Sequence, residues 1–176
     1  TAIFKKRSIL YGINYAKNTK RPNFILVEGN IDVITLHQAG FDNTVATMGT
    51  ALTEEHVRML GRYTRELVLC YDNDTAGEDA TQRAISLLKN SEITVKVLRL
   101  PNKLAADGTP GKQDADDFIK DYGPAAFQGL MDQSANSVEY RLSLVRARFD
   151  LSRDDQRAAY LHAAAEVIAS LPSPVE

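Results

Sequence analysis

Three groups of acidic residues along the chain could together bind a divalent cation. Each group follows a short apolar run of the kind that forms a buried strand. Mg²⁺ binds through one or two carboxylates and keeps waters and substrate phosphates as its other ligands. A pair of such ions can stabilise the attacking and the leaving oxygen of a phosphoryl displacement. The candidate ligands are Glu28 with Asp32, Asp72 with Asp74, and Asp114 with Asp116 and Asp117.

The elements that must position these residues are strands and helices in alternation. Runs rich in β-branched and aliphatic residues predict strands at 24–28, 44–47, 67–71 and 94–100. Helical spacing of apolar residues predicts helices at 8–18, 32–38 and 76–89 and after the N-cap Thr53. The alternation favours an α/β fold with a mainly parallel four-stranded sheet flanked by helices. Because parallel strands share one carboxyl edge, the acidic groups should meet there, and a cation would relieve their repulsion.

The strand pattern stops after the segment 100–113, which is rich in Pro, Gly and Asn and predicts a loop. Helices are predicted at 124–133 and 138–149, followed by a last helix that Ser152 caps. We therefore divide the chain into a basic helical lead-in, an α/β domain and a small helical bundle. Their bounds are 1–22, 23–121 and 122–176.

Composition limits the classes of function. With 44% hydrophobic and 25% charged residues, the 176-residue chain is typical of a globular protein, and no apolar run is long enough to cross a membrane. Cys70 is the only cysteine, which excludes disulfides and cysteine-rich zinc sites within the chain and favours a cytoplasmic location. The first 22 residues contain six basic and no acidic residues, so this lead-in could contact phosphate groups.

Alternative roles for the acidic residues remain open. Asp72, Asp74 and Gly77 are residue types that also form turns and helix caps, although a cap needs only one acid. A phosphatase of the haloacid-dehalogenase type carries an Asp-x-Asp-x-Thr motif after a strand, but here Ala76 stands two residues beyond Asp74, and Thr75 comes one position early. A non-catalytic module that binds metal or a partner protein is a further alternative.

Four segments resemble the Toprim half of the catalytic core of bacterial DnaG-type DNA primases. In chain order they are "VEGNIDVITLHQAG", "ATMGTALTEEHVRML", "CYDNDTAGEDATQRA" and "DADDFI". The segment "FKKRSILYGINYAK" resembles the part that precedes the Toprim domain in these primases, and the tail is similar to the helical part that closes the core. The family usually has an aromatic residue and a methionine where this chain has Asn30 and Ile31, a shorter link before the last acidic pair, and a proline at Ala115.

The resemblance implies roles for individual residues. Glu28, Asp72 and Asp74 would be catalytic, and together with Asp114 and Asp116 they would bind Mg²⁺ or Mn²⁺. Support residues of these motifs are Asp32, which would have a structural or a metal role, and the glycines Gly29 and Gly77. Lys6, with Arg7 beside it, would bind nucleic acid or nucleotide.

The resemblance also implies an activity and its partners. The parent enzyme would synthesise short RNA primers on a single-stranded DNA template by metal-dependent nucleotidyl transfer from NTPs, as a DNA-directed RNA polymerase. It would bind the replicative helicase through a domain that is expected to lie outside the chain, together with the zinc-binding domain and the basic half of the core. The fragment alone is therefore expected to be inactive in priming. Other Toprim enzymes, such as topoisomerases and nucleases, share the Glu-Gly and Asp-x-Asp motifs and remain an alternative.

Overall fold

A computed structural model of the chain describes residues 5–104 and 110–171. The chain divides into two compact units, Thr1–Ser134 and Ala135–Glu176. Among the described residues, no helix combines the length and the apolar character needed to cross a membrane. The first unit contains all the predicted strands and all the predicted site residues.

The four predicted strands are neighbours in the order β2-β1-β3-β4, and each neighbouring pair is parallel. Every residue of β1 is buried, as expected for a parallel strand that is covered on both faces. Strand β1 is central, because Ile25 lies opposite Thr44 on one side and Val68 on the other. The strands are β1 (Phe24–Val27), β2 (Thr44–Ala46), β3 (Glu66–Leu69) and β4 (Thr94–Val97).

Polar side chains cap three of the five helices that the structure describes in the first unit. Thr53 accepts a hydrogen bond from the backbone N–H of His56, which confirms the predicted N-cap, and Asp74 and Asp114 cap the next two helices in the same way. Apolar faces of these helices cover the sheet. The helices are α1 (Ile13–Ala16), α2 (Asn30–Gln38), α3 (Glu54–Leu60), α4 (Thr75–Leu88) and α5 (Ala115–Asp132).

The helix predicted at 8–18 is wrong in its first half. A 3₁₀ turn occupies Lys6–Ser8, and α1 does not begin until Ile13. The reason is Gly12, whose φ of +81° lies in the left-handed region and interrupts a helix. The preceding residue pairs instead with the sheet, since the backbone N–H of Tyr11 donates to the carbonyl of Ala46 at 2.8 Å.

Two short strands lie in the segment that was predicted to be a loop. Strand β5 (Lys103–Leu104) pairs antiparallel with β6 (Pro110–Gly111). Two residues are too few to show an alternating pattern, so the sequence did not signal this pair. The prediction for residues 105–109 lies outside the described residues.

Helix α5 continues across the boundary predicted between residues 121 and 122. It bends at Gly123, whose φ is 78°, ahead of Pro124. Phe127, beyond the bend, is fully buried and lies 4.8 Å from Phe41 between ring centroids, so the core of the first unit includes both halves of the helix. The division of the chain into three functional segments stays a prediction.

The second unit contains the short strand β7 (Ala135–Asn136) and helices α6 (Ser137–Arg146) and α7 (Asp154–Ala169). Asn136 caps α6 by accepting hydrogen bonds from the backbone N–H groups of Val138 and Glu139. The predicted cap Ser152 is wrong, because its hydroxyl donates to Asp150 at 2.7 Å and α7 begins two residues later. The Ser152 hydroxyl therefore bonds to the nearby carboxylate of Asp150 instead of capping the helix.

Gly77 gives the first testable prediction. A Cβ atom at this position would overlap the carbonyl oxygen of Asp72 and lie 2.9 Å from its carbonyl carbon. Because backbone cannot rotate away as a side chain can, Gly77→Ala should lower the free energy of unfolding by about 1–3 kcal/mol and displace the residues between β3 and α4. Urea denaturation measures the loss.

Gly129→Ala in α5 is the matched control, since a Cβ there meets nothing within 4 Å. This variant should be unchanged or more stable by up to about 1 kcal/mol, as for an alanine within a helix. If the two variants were equally stable, the backbone between β3 and α4 could move away from the new Cβ without lowering the free energy of unfolding. That result would contradict the prediction.

Candidate metal centre

The ends of β1 and β3 bring the first two acidic groups together. Glu28 follows β1 directly, and its Oε1 accepts a hydrogen bond from the backbone N–H of Asp72 at 3.3 Å. Burial, and the neighbouring charge of Asp72, raise the pKa of the Glu28 carboxyl. The structure therefore places these two predicted site residues in contact, at the carboxyl edge where the sequence predicted them.

A lysine that the sequence pattern did not reveal lies between Asp72 and Asp74. The Nζ atom of Lys112, which follows β6, is 2.5 Å from Oδ2 of Asp72 and 3.4 Å from Oδ2 of Asp74. The hydrogen bond to Asp72 is the main cause of the raised pKa of Lys112. The ammonium group thus partly neutralises the pair that was predicted to bind a cation. No spacing rule signals this contact, because it depends on the path of the segment around β5 and β6.

Asp74 has two functions that use different oxygens. Its Oδ1 accepts a hydrogen bond from the backbone N–H of Gly77 at 2.8 Å and so caps α4, which lowers the pKa of the Asp74 carboxyl. Its Oδ2 faces Lys112. The helix-cap alternative therefore explains one oxygen of Asp74, but it does not explain why Asp72 and Glu28 lie beside it.

Asp32 connects the first and third acidic groups. Its Oδ2 accepts a hydrogen bond from the backbone N–H of Gly29, and its Oδ1 accepts one from that of Asp116, both at 3.0 Å. The side chain is only 7% exposed, and this burial is the main reason why the pKa of Asp32 is raised to about 6. These contacts favour the structural role for Asp32, since both oxygens hold backbone groups in place.

The third group lies at the start of α5. Asp114 caps the helix by accepting from the backbone N–H of Asp117 at 2.8 Å. Asp116 accepts from the hydroxyl of Thr35 and from Nζ of Lys120, each at 2.6 Å, and the bond from Lys120 is the main cause of its lowered pKa. One carboxylate oxygen from each of Asp114, Asp116 and Asp117 lies within 4.8 Å of the others. Asp117 belongs with this group, although the ligands implied by the family resemblance did not include it.

The donor atoms of this edge fit a hard divalent cation. Seven carboxylates lie along it, and among the described residues only the group of Asp114, Asp116 and Asp117 brings three carboxylate oxygens within 4.8 Å of one another. Lys112 and Lys120 are the lysines that contact the seven carboxylates within 3.5 Å in the described part of the chain. All the donors are oxygens, which suits Mg²⁺ or Mn²⁺ and disfavours metals that prefer thiolate ligands. The seven carboxylates are Glu28, Asp32, Asp72, Asp74, Asp114, Asp116 and Asp117.

The predicted phosphate-binding residues lie on a separate turn. Lys6 and Arg7 have exposed side chains, and their backbone carbonyls accept hydrogen bonds from His56 and Thr53 at the start of α3. Arg21, another of the six basic residues in the first 22, makes contacts within the first unit. Its guanidinium lies 4.8 Å from the centre of the Phe41 ring and donates to the carbonyl of Gly40.

Comparison with known proteins identifies two families. The model of a family described as Toprim-like matches residues 25–119. A second model, described as the DnaB-helicase binding domain of primase, matches residues 138–176. The helicase-binding domain was expected to lie outside the chain, and the second match corrects this, since a segment with that description lies within it.

Relatives and solved structures agree with these matches. The DNA primase of Clostridium acetobutylicum is 37% identical over 177 residues, covering 100% of this chain and 28% of its own length. The RNA polymerase domain of Mycobacterium tuberculosis primase DnaG, in complex with double-stranded DNA, has a TM-score of 0.81 at 28% identity and covers 99% of this chain and 55% of its own. A DnaG primase catalytic domain bound to single-stranded DNA has a TM-score of 0.74 at 31% identity and covers 98% of this chain and 53% of its own.

These similarities confirm the resemblance to DnaG-type primases and the α/β fold with a helical C-terminal part. The chain spans less than a third of the length of the curated relatives it matches. The solved catalytic domains also cover the segment 138–176 almost completely, so this segment has structural counterparts within catalytic cores.

Lys112 gives a prediction about metal affinity. An ion that binds Asp72 and Asp74 must displace the ammonium group, so Lys112→Gln should tighten Mn²⁺ binding by about two- to fivefold, the range of a partly exposed ion pair. Titration followed by the electron paramagnetic resonance of free Mn²⁺ measures the change. Lys96→Gln is the matched control, because it removes the same charge from a pair with Glu66. Weaker binding by Lys112→Gln than by the control would mean that Lys112 orders the carboxylates instead of competing for them.

Asp32 gives a prediction about pH and stability. Its carboxyl has a pKa of about 6 in the folded chain against 3.8 normally, so folding favours the protonated form. The resulting stabilisation is complete below pH 4 and is lost as the pH rises through 6. Without metal, the free energy of unfolding of the wild type relative to Asp32→Asn should therefore increase by on the order of 1 kcal/mol between pH 7.5 and pH 5. Urea denaturation at both pH values measures it, and an unchanged difference would contradict the burial of an ionised Asp32.

Proposed function

Because the chain belongs to the Toprim-like family, we propose that it is the metal-binding part of the catalytic core of a DNA primase. The whole enzyme would synthesise RNA primers on single-stranded DNA by nucleotidyl transfer from NTPs. The observation that carries this proposal is the contact of Glu28 with the backbone of Asp72, which joins two acidic strand ends at one edge of the sheet. Such an edge is where parallel sheets bind ligands.

The proposed reaction is attack of a ribonucleotide 3′-hydroxyl on the α-phosphorus of an incoming NTP, with release of pyrophosphate. Glu28, Asp72 and Asp74 would be the catalytic carboxylates, and with Asp114 and Asp116 they would hold Mg²⁺ or Mn²⁺. When bound, the divalent cation would stabilise the charge on the attacking and leaving oxygens. The contribution of the chain is to fix the carboxylates in place, since positioning and electrostatics dominate phosphoryl transfer.

Hydrogen bonds from backbone groups support this positioning. The parallel pairing of β1 with β3 fixes the distance between Glu28 and Asp72. Asp32 ties the first turn of α5 to the start of α2, and so it would hold Asp114 and Asp116 near the other acids. Asp32 is thus proposed as a positioning residue, Gly29 as a residue that leaves room for the Asp32 carboxylate, and Gly77 as one that lets the backbone of Asp72 approach closely.

Single-stranded DNA template, NTPs and the RNA primer are the proposed partners. A related catalytic domain has been solved with single-stranded DNA, and a related RNA polymerase domain with double-stranded DNA. Lys6 and Arg7 would contact phosphate groups, because both side chains are exposed and cationic. The replicative helicase is proposed as a further partner, and the match of residues 138–176 supports a contribution from the second unit.

The phosphatase alternative is not favoured. A phosphatase of that type would use Asp72 as a nucleophile, yet Oδ2 of Asp72 lies against Lys112, and Asp74 uses one oxygen as a helix cap. Neither family match points to such an enzyme. Turnover of a simple phosphoester with covalent phosphate on Asp72 would restore that alternative.

The test of the proposed function combines binding with activity. In this chain, Glu28→Gln and Asp72→Asn should each weaken Mn²⁺ binding by at least about tenfold, since each removes a charged ligand. In the whole primase, both should abolish primer synthesis. Asp79→Asn is the matched control, because Asp79 is an exposed carboxylate on α4. The fragment alone is expected to make no primers.

Normal primer synthesis by either site variant would contradict the assignment of these carboxylates. Equal Mn²⁺ affinity of Asp72→Asn and Asp79→Asn would also contradict it, because a general loss of negative charge would then explain the result.

A further inference from the structure

His56 is fully buried, and both of its ring nitrogens make hydrogen bonds. Nδ1 lies 3.3 Å from the backbone nitrogen of Thr53, which can only donate, so Nδ1 accepts. The proton of the neutral ring is therefore on Nε2, which donates to the backbone carbonyl of Lys6 at 3.1 Å. The ring thus connects the start of α3 with the 3₁₀ turn Lys6–Ser8, which we call the basic turn.

Thr53 makes a second connection of the same kind. Its hydroxyl accepts from the backbone N–H of His56 at 3.3 Å and donates to the backbone carbonyl of Arg7 at 2.7 Å. The carbonyls of two successive basic residues are therefore held by two side chains of one helix cap. Packing alone would not require a histidine here, since an apolar residue would fill the space without the need for partners.

The bonds that anchor Lys6 and Arg7 to the start of α3 use only their backbone carbonyls, so neither side chain is needed for anchoring. Lys6 and Arg7 are exposed, while the turn closes through the backbone bond from Ser8 to the carbonyl of Lys5 at 3.0 Å. A cation on an anchored backbone loses less conformational entropy when it binds a phosphate group than one on a mobile segment. Anchoring therefore bears on affinity for phosphates as well as on stability.

We propose that His56 is a positioning residue for phosphate binding, which fixes the basic turn through the bond from its Nε2 to the carbonyl of Lys6. The proposal rests on the proposed function, because it takes the bound phosphates to be those of template or nucleotide. His56 itself would touch no phosphate and would act through the backbone of Lys6, whereas the carbonyl of Arg7 is held by Thr53. The proposal deepens the proposed function by naming what orients Lys6.

Two substitutions separate the two bonds of the ring. In the whole primase, His56→Asn places an amide oxygen near the position of Nδ1, so it keeps the helix cap and loses the bond to Lys6. His56→Gln places an amide N–H near the position of Nε2, so it keeps the bond to Lys6 and loses the cap. Both variants should lose similar stability in urea, whereas only His56→Asn should weaken binding of single-stranded DNA, by about three- to tenfold at fixed salt. His162→Asn, an exposed histidine in the second unit, is the control for the exchange itself.

A double-mutant cycle with Lys6→Gln completes the test. Lys6→Gln alone should weaken DNA binding, and His56→Asn should add little to it, because the residue that it positions is already lost. Additive effects of the two changes would overturn the proposal, as would equal DNA affinity of His56→Asn and His56→Gln.

The cycle also separates this inference from the proposed function. If Lys6→Gln binds DNA normally while Asp72→Asn abolishes primer synthesis, the positioning role of His56 is overturned and the primase assignment stands. If Asp72→Asn retains primer synthesis, the assignment of the metal centre fails. In that second case, non-additive losses of DNA affinity in Lys6→Gln and His56→Asn would still support the anchoring of the basic turn by His56.

Discussion

The parallel pairing of β1 with β3 is the constraint on which the candidate site depends. It places Glu28 beside Asp72 at the edge of a buried sheet, where desolvation and the charge of Asp72 both raise the pKa of Glu28. Two strands that ended at opposite edges would avoid this repulsion, but they would also leave no cluster of acids. The sheet topology therefore creates an electrostatic conflict that a bound cation would relieve.

Two lysines partly neutralise the acidic residues at this edge of the sheet. Lys112 bridges Asp72 and Asp74, and Lys120 pairs with Asp116 from one turn further along α5. Both are long, flexible and at least half exposed, so their ammonium groups can leave the carboxylates without unfolding the chain. A rigid or buried counter-ion would neutralise the edge equally well but could not be exchanged for a metal ion.

Local patterns predicted the elements that lie in the core and failed where a tertiary contact decides the structure. The strand around Ile25 and the cap Thr53 follow from apolar runs and cap chemistry, and with them the meeting of Glu28 and Asp72. The early start of the first helix was wrong because Gly12 lets the backbone of Tyr11 pair with the sheet. Lys112 could not be predicted, since its position depends on a two-residue strand pair.

The geometry of Asp74 and Asp114 leaves room for a helix cap and a proposed metal ligand in one side chain. Each uses one oxygen to accept a backbone N–H at a helix start, which leaves the second oxygen for another partner. The partial positive charge of a helix N-terminus favours the ionised carboxylate, as the lowered pKa of Asp74 illustrates. At Asp74, capping therefore fixes the direction of the side chain and favours its charged form, and both effects are what a ligand of a hard cation requires. The ability of Asp to accept a backbone N–H makes it common in turns and caps, and the same ability would hold its second oxygen in place for a metal ion.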